Sequence, residues 1–336
     1  MNSNDPMEPL WTPSKKTIER ANITEYMLWL RGAHNLRFDS YKELWRWSVE
    51  DLEDFWQSIW EYFSIVASDQ PQSILAGPNM PRARWFEGAR LNYAENFFAR
   101  KFPDRPAIIH VDESGVRREI SWAEIESKTA ALAAAMKAYG VGKGDRVVAY
   151  LPHIPETIIA LFAAASIGAI WSSCSPDFGS RSVLDRFQQI EPKLLLAVDG
   201  YQYGGKVYDR REVVIELQSG LPSLDKTILI SMLPDNVSPD PCVECIGWQD
   251  LLSQYKNHNT LEFEQLPFDH PLWVLYSSGT TGLPKPIVQG HGGILLEHFK
   301  MASLHLDLKE SDRFFWYTST GWMMWNFLIG GLLVGS

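Results

Sequence analysis

Between Asp39 and Phe63 the apolar side chains Leu44, Trp47, Leu52, Phe55, Ile59 and Phe63 recur near helical spacing. Positions three and four apart share one face of a helix, so the stretch predicts two amphipathic helices, with Ser48 as a candidate cap between them. Pro, Ser, Gly and Asn then punctuate the chain from Ala67 to Arg84, which reads as a connecting loop. From about Arg105 the pattern changes. Short apolar runs with strand character alternate with helical ones. AIIHV, RVVAYLP, AIWSSCS, LLLAV, TILIS, LWVLY and FFWYT predict strands. Ser121 and Glu124 form a capping box for a helix carrying Ile125, Leu132 and Met136 on one face and closed by Gly140. Pro155 opens the helix ETIIALFAAASIG, and SVLDRFQQI, WQDLLSQY and GGILLEHFKMASLHL predict further helices. VVIELQ fits either a helix or a strand. Alternation of this kind specifies an α/β fold of layered, largely parallel sheets with helices. Ligands of such sheets bind at the carboxyl ends of the strands.

Composition narrows the class. The chain has 336 residues, 45% of them hydrophobic, enough for a sizeable core and too many for one small domain. A formal net charge of -10 argues against nucleic acid or an anionic membrane as partner. The apolar run Thr157–Trp171 is too short to span a bilayer and reads as a buried helix entering a strand; the run from Trp322 onward is also too short. The first residues lack the apolar core of a signal peptide. Cys242 and Cys245 form a CxxC, but no second ligand pair stands at a spacing that would complete a zinc site. The expectation is reduced thiols in a cytosolic protein and no resident metal.

Chemistry concentrates in residues 275–286, LYSSGTTGLPKP. Gly279 and Gly282 permit positive φ and close approach of a ligand. Consecutive N–H groups can form an anion nest, the hydroxyls of Ser277, Ser278, Thr280 and Thr281 add donors, and Lys285 adds a movable cation. A surface turn would share this composition. The strand expected before the loop, the helix expected after it and the single lysine favour a phosphate site. Leu283 and Pro284 separate the last glycine from Lys285, so this is no Walker loop. GYQYGGKV has Walker-like glycines and Lys206, but Val207 replaces the hydroxyl that would hold magnesium. GVGKGD follows a helix, which weakens a dinucleotide fingerprint. There is no GxSxG and no HExxH. His291 is the histidine nearest the loop, with a surface or capping role expected.

YSSGTTGLPKP resembles the phosphate-loop signature of the adenylate-forming superfamily of acyl-CoA synthetases, luciferases and peptide-synthetase adenylation domains. RWFEGARLNYAENFF resembles the N-terminal segment of acetyl-CoA synthetases, GAIWSSCSPDFG the segment before their CoA-side helix, and STGWMMWN the Gly-Trp stretch of their acyl pocket. The opening PLWTPSKKTIERANITEYMLWL and the stretch GLPKPIVQGHGG are most similar to the acetoacetate-activating branch. The resemblance implies an N-terminal helical segment over residues 1–100 and a large synthetase domain over 101–336. It also implies a two-step ligase whose substrates are ATP with Mg2+, acetoacetate and CoA, cytosolic, passing ketone-body carbon to lipid synthesis.

By the same resemblance Ser277, Ser278, Gly279, Thr280, Thr281, Gly282 and Lys285 take the ATP phosphates. Trp322, Met323 and Met324 form the acyl and pantetheine wall; two methionines there suit an acid other than acetate. Lys206 and Arg210, with Arg211 behind, fall near the CoA phosphate position, although a solvated basic turn explains them equally. Two departures stand out. Pro286 replaces a common glycine and stiffens the loop exit. The family's acidic adenine segment, ribose aspartate and adenylation lysine have no counterpart before Ser336. The expectation is therefore a fragment with little ligase activity of its own and no catalytic residue within it. A silent nucleotide-binding or regulatory protein on the same fold, and a ligase for another short acid, are the alternatives.

Overall fold

The computed structural model describes residues 10–77, 80–233, 245–258, 260–277 and 282–336. Its centre is a seven-stranded sheet in the order Cys245–Gly247, Lys226–Ile230, Leu194–Val198, Arg146–Tyr150, Ile170–Cys174, Pro271–Ser277, Lys285–Gly290. The first six strands run parallel, and the last pairs antiparallel at the edge. Strands buried on both faces read as unbroken apolar runs, which is why Leu194–Val198 is buried at every position. Alternate residues face opposite layers. Val147, Ala149, Leu194 and Leu196 pack with the helices Trp122–Ala138 and Pro155–Ser166. Val148, Tyr150, Leu195 and Ala197 pack with Val183, Phe187, Val214 and Leu217 of the helices Ser180–Phe187 and Arg211–Gly220.

The helix starts and stops follow local chemistry. The Ser121 hydroxyl accepts the N–H of Glu124, and Pro155 occupies the first turn of its helix. Gly140 sits at φ +77°, the left-handed conformation that ends a helix without steric cost. The run Thr157–Trp171 is a buried helix leading to the strand Ile170–Cys174, as its pattern predicts. Among the described residues no helix is long and apolar enough to cross a membrane.

Several expectations need correction. The two predicted N-terminal helices form as Tyr41–Glu50 and Leu52–Tyr62, but Ser48 lies inside the first, its hydroxyl donating to the carbonyl of Trp45. Ser40 caps that helix, and Asp51 stands between the two. The segment from Ala67 to Arg84 contains the short strands Ala67–Asp69 and Ser73–Ala76, the latter paired with Arg84–Glu87. VVIELQ is helical, within Arg211–Gly220, and buries Val214 and Leu217. FFWYT forms no strand because nothing among the described residues pairs with it; Phe315, Trp316 and Tyr317 lie exposed. The predicted helix GGILLEHFKMASLHL forms over nearly its full length, but only His291–Phe299 is α-helical and Lys300–His305 continues as a π-helical turn; the preceding Lys285–Gly290 is a strand that the pattern did not predict. Cys245 is disulfide-bonded, against the expectation of a reduced thiol; Cys174 is free and buried, and Cys242 lies outside the described residues.

The aromatic N-terminal region packs into the same core as the helix Pro155–Ser166. Tyr26, Leu30, Trp47, Ile59 and Trp60 join Phe86, Phe97 and Phe162 there. Trp60 stacks on Phe86, and Phe86 on Phe268, which precedes the strand Pro271–Ser277. The fold thus ties the first hundred residues to the strand that leads into the candidate loop.

Candidate functional site

The parallel strands end together at one edge of the sheet, and the candidate segments gather there. Ser172, on the strand Ile170–Cys174, donates its hydroxyl to the carbonyl of Val274 at 2.7 Å. This stitches that strand to Pro271–Ser277, which delivers Ser277 to the candidate loop. The loop returns through Gly282, at φ +97° with open space where a Cβ would stand, to Lys285, which pairs opposite Ser277. The loop therefore joins two antiparallel strands. It does not run straight into a helix as expected; the helix comes six residues later. Pro286 is tolerated because its strand is the sheet edge. Ser278, Gly279, Thr280 and Thr281 lie outside the described residues.

The loop flanks are held from below. Tyr276 donates its hydroxyl to the carbonyl of Arg186 at 2.7 Å, and burial pushes its phenol well above the usual range, so it stays a donor. Gln189 donates to the carbonyl of Pro284 at 3.0 Å. Lys285 is exposed, and no carboxylate among the described residues pairs with it. A free cation beside a glycine turn and an exposed serine is an arrangement that accepts polyphosphate.

The Gly-Trp segment lies at the same edge. Ser173 donates to the carbonyl of Thr320 at 2.7 Å, and Thr320 donates to the carbonyl of Leu151 at 2.6 Å. Both hydroxyls are buried, so these bonds fix the segment on two neighbouring strand ends. Gly321 rests against the Phe178 ring, 3.4 Å from where its own Cβ would be. Trp322 and Met323 are exposed, Met324 is half-buried, and the short helix Met323–Ile329 follows.

GYQYGGKV is a hairpin, Gly200–Tyr203 against Lys206–Asp209, turning at Gly204 and Gly205 with positive φ. That geometry rules out a Walker loop, which runs from a strand into a helix. Lys206 is exposed near the tip. Arg210 is half-buried. Its Nε donates to the carbonyl of Pro176 at 2.7 Å, and its guanidinium lies over the rings of Tyr201 and Tyr208. Tyr150, at the end of its strand, shares its proton between the carbonyls of Pro176 and Phe178, at 2.7 and 2.8 Å. The hairpin reaches the Gly-Trp side through the Tyr203 and Tyr317 hydroxyls, 3.2 Å apart. Loop flanks, Gly-Trp segment and basic hairpin thus form one rim around Pro176–Phe178.

Sequence reasoning missed the residues that build this rim: Tyr150, Ser172, Ser173, Arg186, Tyr276 and Thr320. The signal available was the adjacent serines Ser172 and Ser173 inside the strand-like run AIWSSCS. His291 is neither at the surface nor at the loop. It is buried at the far end of the edge strand, its Nδ1 accepts the N–H of Tyr93 at 3.1 Å, and burial pushes its pKa down to about 3. It supports the start of the helix Tyr93–Phe98, so the capping expectation holds for a helix other than its own. Among the described residues no cluster of metal-ligating side chains occurs.

Two family models match the chain: "AMP-binding enzyme" over residues 97–336 and "Acetyl-coenzyme A synthetase N-terminus" over residues 41–97. The acetoacetyl-coenzyme A synthetase of Rhizobium meliloti is 41% identical over 330 residues, covering 98% of this chain and 50% of that protein. The acetoacetyl-CoA synthetase of Gallus gallus is 40% identical, covering 97% and 50%. The solved structure of acetoacetyl-CoA synthetase from Streptomyces lividans superposes with a TM-score of 0.92 at 50% identity, over 98% of this chain and 50% of that one. The chain thus spans about half the length of these relatives. A family model matched from Phe97 to Ser336, on a fold whose strand ends collect the flanks of the candidate loop and the Gly-Trp segment, establishes that the chain belongs to the AMP-binding enzyme family.

Proposed function

We propose that the whole protein ligates acetoacetate to CoA at the expense of ATP, through an acyl-adenylate. The observation that carries this reading is the shared rim. The flanks of a phosphate loop and an acyl-type Gly-Trp segment are anchored to adjacent strand ends, in a chain about 40% identical to acetoacetyl-CoA synthetases.

The chemistry asks little covalent work of the protein. An acid oxygen attacks the α-phosphorus of Mg-ATP, the bond to the bridging oxygen breaks, and pyrophosphate leaves. The CoA sulfur then attacks the acyl carbonyl, and AMP leaves with the shared oxygen. Charge accumulates on phosphate oxygens in the first step, so fixed N–H groups, hydroxyls and a cation lower its barrier. Ser277, Ser278, Gly279, Thr280, Thr281, Gly282 and Lys285 take this role. Mg2+ enters with ATP as the Mg-ATP substrate. Trp322, Met323 and Met324 wall the acyl group. Lys206 supplies the cation for the CoA phosphate. Arg210 serves by holding the hairpin to Pro176, since its guanidinium is already engaged. We assign residues 1–100 to the N-terminal segment and 101–336 to the synthetase domain, in the cytosol. The Cys245 disulfide runs against the usual reduced state of that compartment.

The test is the product pair. With acetoacetate, Mg-ATP and CoA, the whole protein should release AMP and pyrophosphate in step with acyl-CoA. Release of ADP and phosphate, or nucleotide binding without turnover, contradicts the reading.

A further inference from the structure

The acyl wall ends in polar groups that the fold leaves unanswered. Asn326 is fully buried, and neither its Oδ1 nor its Nδ2 has a hydrogen-bond partner among the described residues. The indole Nε1 of Trp325, one residue earlier, is likewise buried and unpartnered. Burying an amide without partners forfeits its hydration and returns nothing. Such a group in a helix core calls for an occupant.

Its placement indicates which. In a helix, residues three and four apart lie one above the other, and side chains lean toward the N-terminus. Asn326 is three residues beyond Met323 in the helix Met323–Ile329, so the two share a helix face and Asn326 leans toward Met323, with Trp322 as the extended residue just before the helix. Trp322 and Met323 are 58% and 51% exposed, and Met324 between them and Asn326 is half-buried. An exposed, adaptable apolar side chain, Met323, thus stands one helical turn before a buried amide. The other polar groups nearby are committed: the Thr320 hydroxyl to Leu151, the Ser173 hydroxyl to Thr320.

We propose that Asn326 is the specificity-determining residue for the acid, its amide N–H donating to the ketone oxygen of a 3-oxo acid seated under Trp322–Met324. This rests on the ligase reading above. An acid of equal length without the ketone leaves the amide stranded. A stranded buried polar group discriminates more strongly than an added methylene does.

The experiment compares acetoacetate with butyrate, which has a methylene in place of the ketone, using the whole protein. The wild type is expected to prefer acetoacetate by about tenfold to a hundredfold in kcat/KM. Asn326→Leu, with the same branched side-chain skeleton, should lower kcat/KM for acetoacetate by about the same factor. Butyrate should stay within about twofold, and KM for ATP should not change. An equal fall for both acids marks a packing role and overturns the proposal. Equal use of both acids by the wild type overturns it without any variant, and leaves the ligase reading standing. Formation of no acyl-CoA from either acid defeats the ligase reading, and this inference with it.

Discussion

Lys285 shows how one side chain acquires a role from its surroundings. It stands at the loop exit, paired in register with Ser277, exposed and without a carboxylate partner among the described residues. A cation left unpaired there is available to phosphate. Lys285→Ala should lower kcat/KM for ATP by about 10²–10³-fold, as loss of one preorganised charge does, and leave the melting temperature nearly unchanged because the side chain covers no core. A fall of less than threefold would remove Lys285 from the phosphate site. The buried histidines make a different prediction. Burial lowers His291 and His298 to about 3 and His153 to about 4, below the ordinary 6.5. Each is neutral when folded and takes up a proton on unfolding in mild acid. Their contribution is complete above the unfolded value and is lost as pH falls through 6.5 toward the folded values. Between about pH 6 and 4 the unfolding free energy should fall by up to ~1.4 kcal/mol per pH unit for each histidine. Urea midpoints at about pH 7.5 and about pH 5.5 check this, and equal midpoints contradict it.

At the scale of elements, the Gly-Trp segment is positioned by two hydroxyl bonds and has no strand of its own. Ser173→Ala strands the carbonyl of Thr320 and should cost about 1–2 kcal/mol. It should also raise KM for the acid more than KM for ATP, since it loosens the acyl wall and spares the loop flanks. Equal effects on both substrates would show that the bond supports the sheet alone. Gly292 stands second in the helix His291–Phe299 with Phe268 against it; a Cβ would lie 2.1 Å from that ring. Gly292→Ala should destabilise the chain by about 1–3 kcal/mol through overpacking, read as a lowered thermal midpoint. The sequence shows why some elements are legible and others are not. Leu194–Val198 is buried throughout and Pro155–Ser166 everywhere but Glu156, so local hydrophobicity declares them. Lys285–Gly290 is exposed along most of its length, with Ile287 and Val288 at 46% and 57%, and its pairing with Pro271–Ser277 carries no local pattern. FFWYT carries strand propensity and lacks a partner, so context overrides it. At the site, the loop is readable because its glycines and hydroxyls are contiguous. The anchors Ser173–Thr320 and Thr320–Leu151 join residues 147 and 169 positions apart, a relation that sequence spacing does not display.

The whole molecule is an aromatic N-terminal layer and a doubly covered sheet whose strand ends open onto one rim. The rim gathers the flanks of the candidate loop, the Gly-Trp segment and a basic hairpin. The central claim is that this rim serves an acid-activating ligase for acetoacetate. Exchange of labelled pyrophosphate into ATP by the whole protein, without CoA, isolates the adenylation step. Exchange should require an acid and run faster with acetoacetate than with acetate or propionate. Exchange that is faster with acetate or propionate would contradict the substrate, and exchange with no acid present would contradict the adenylate itself.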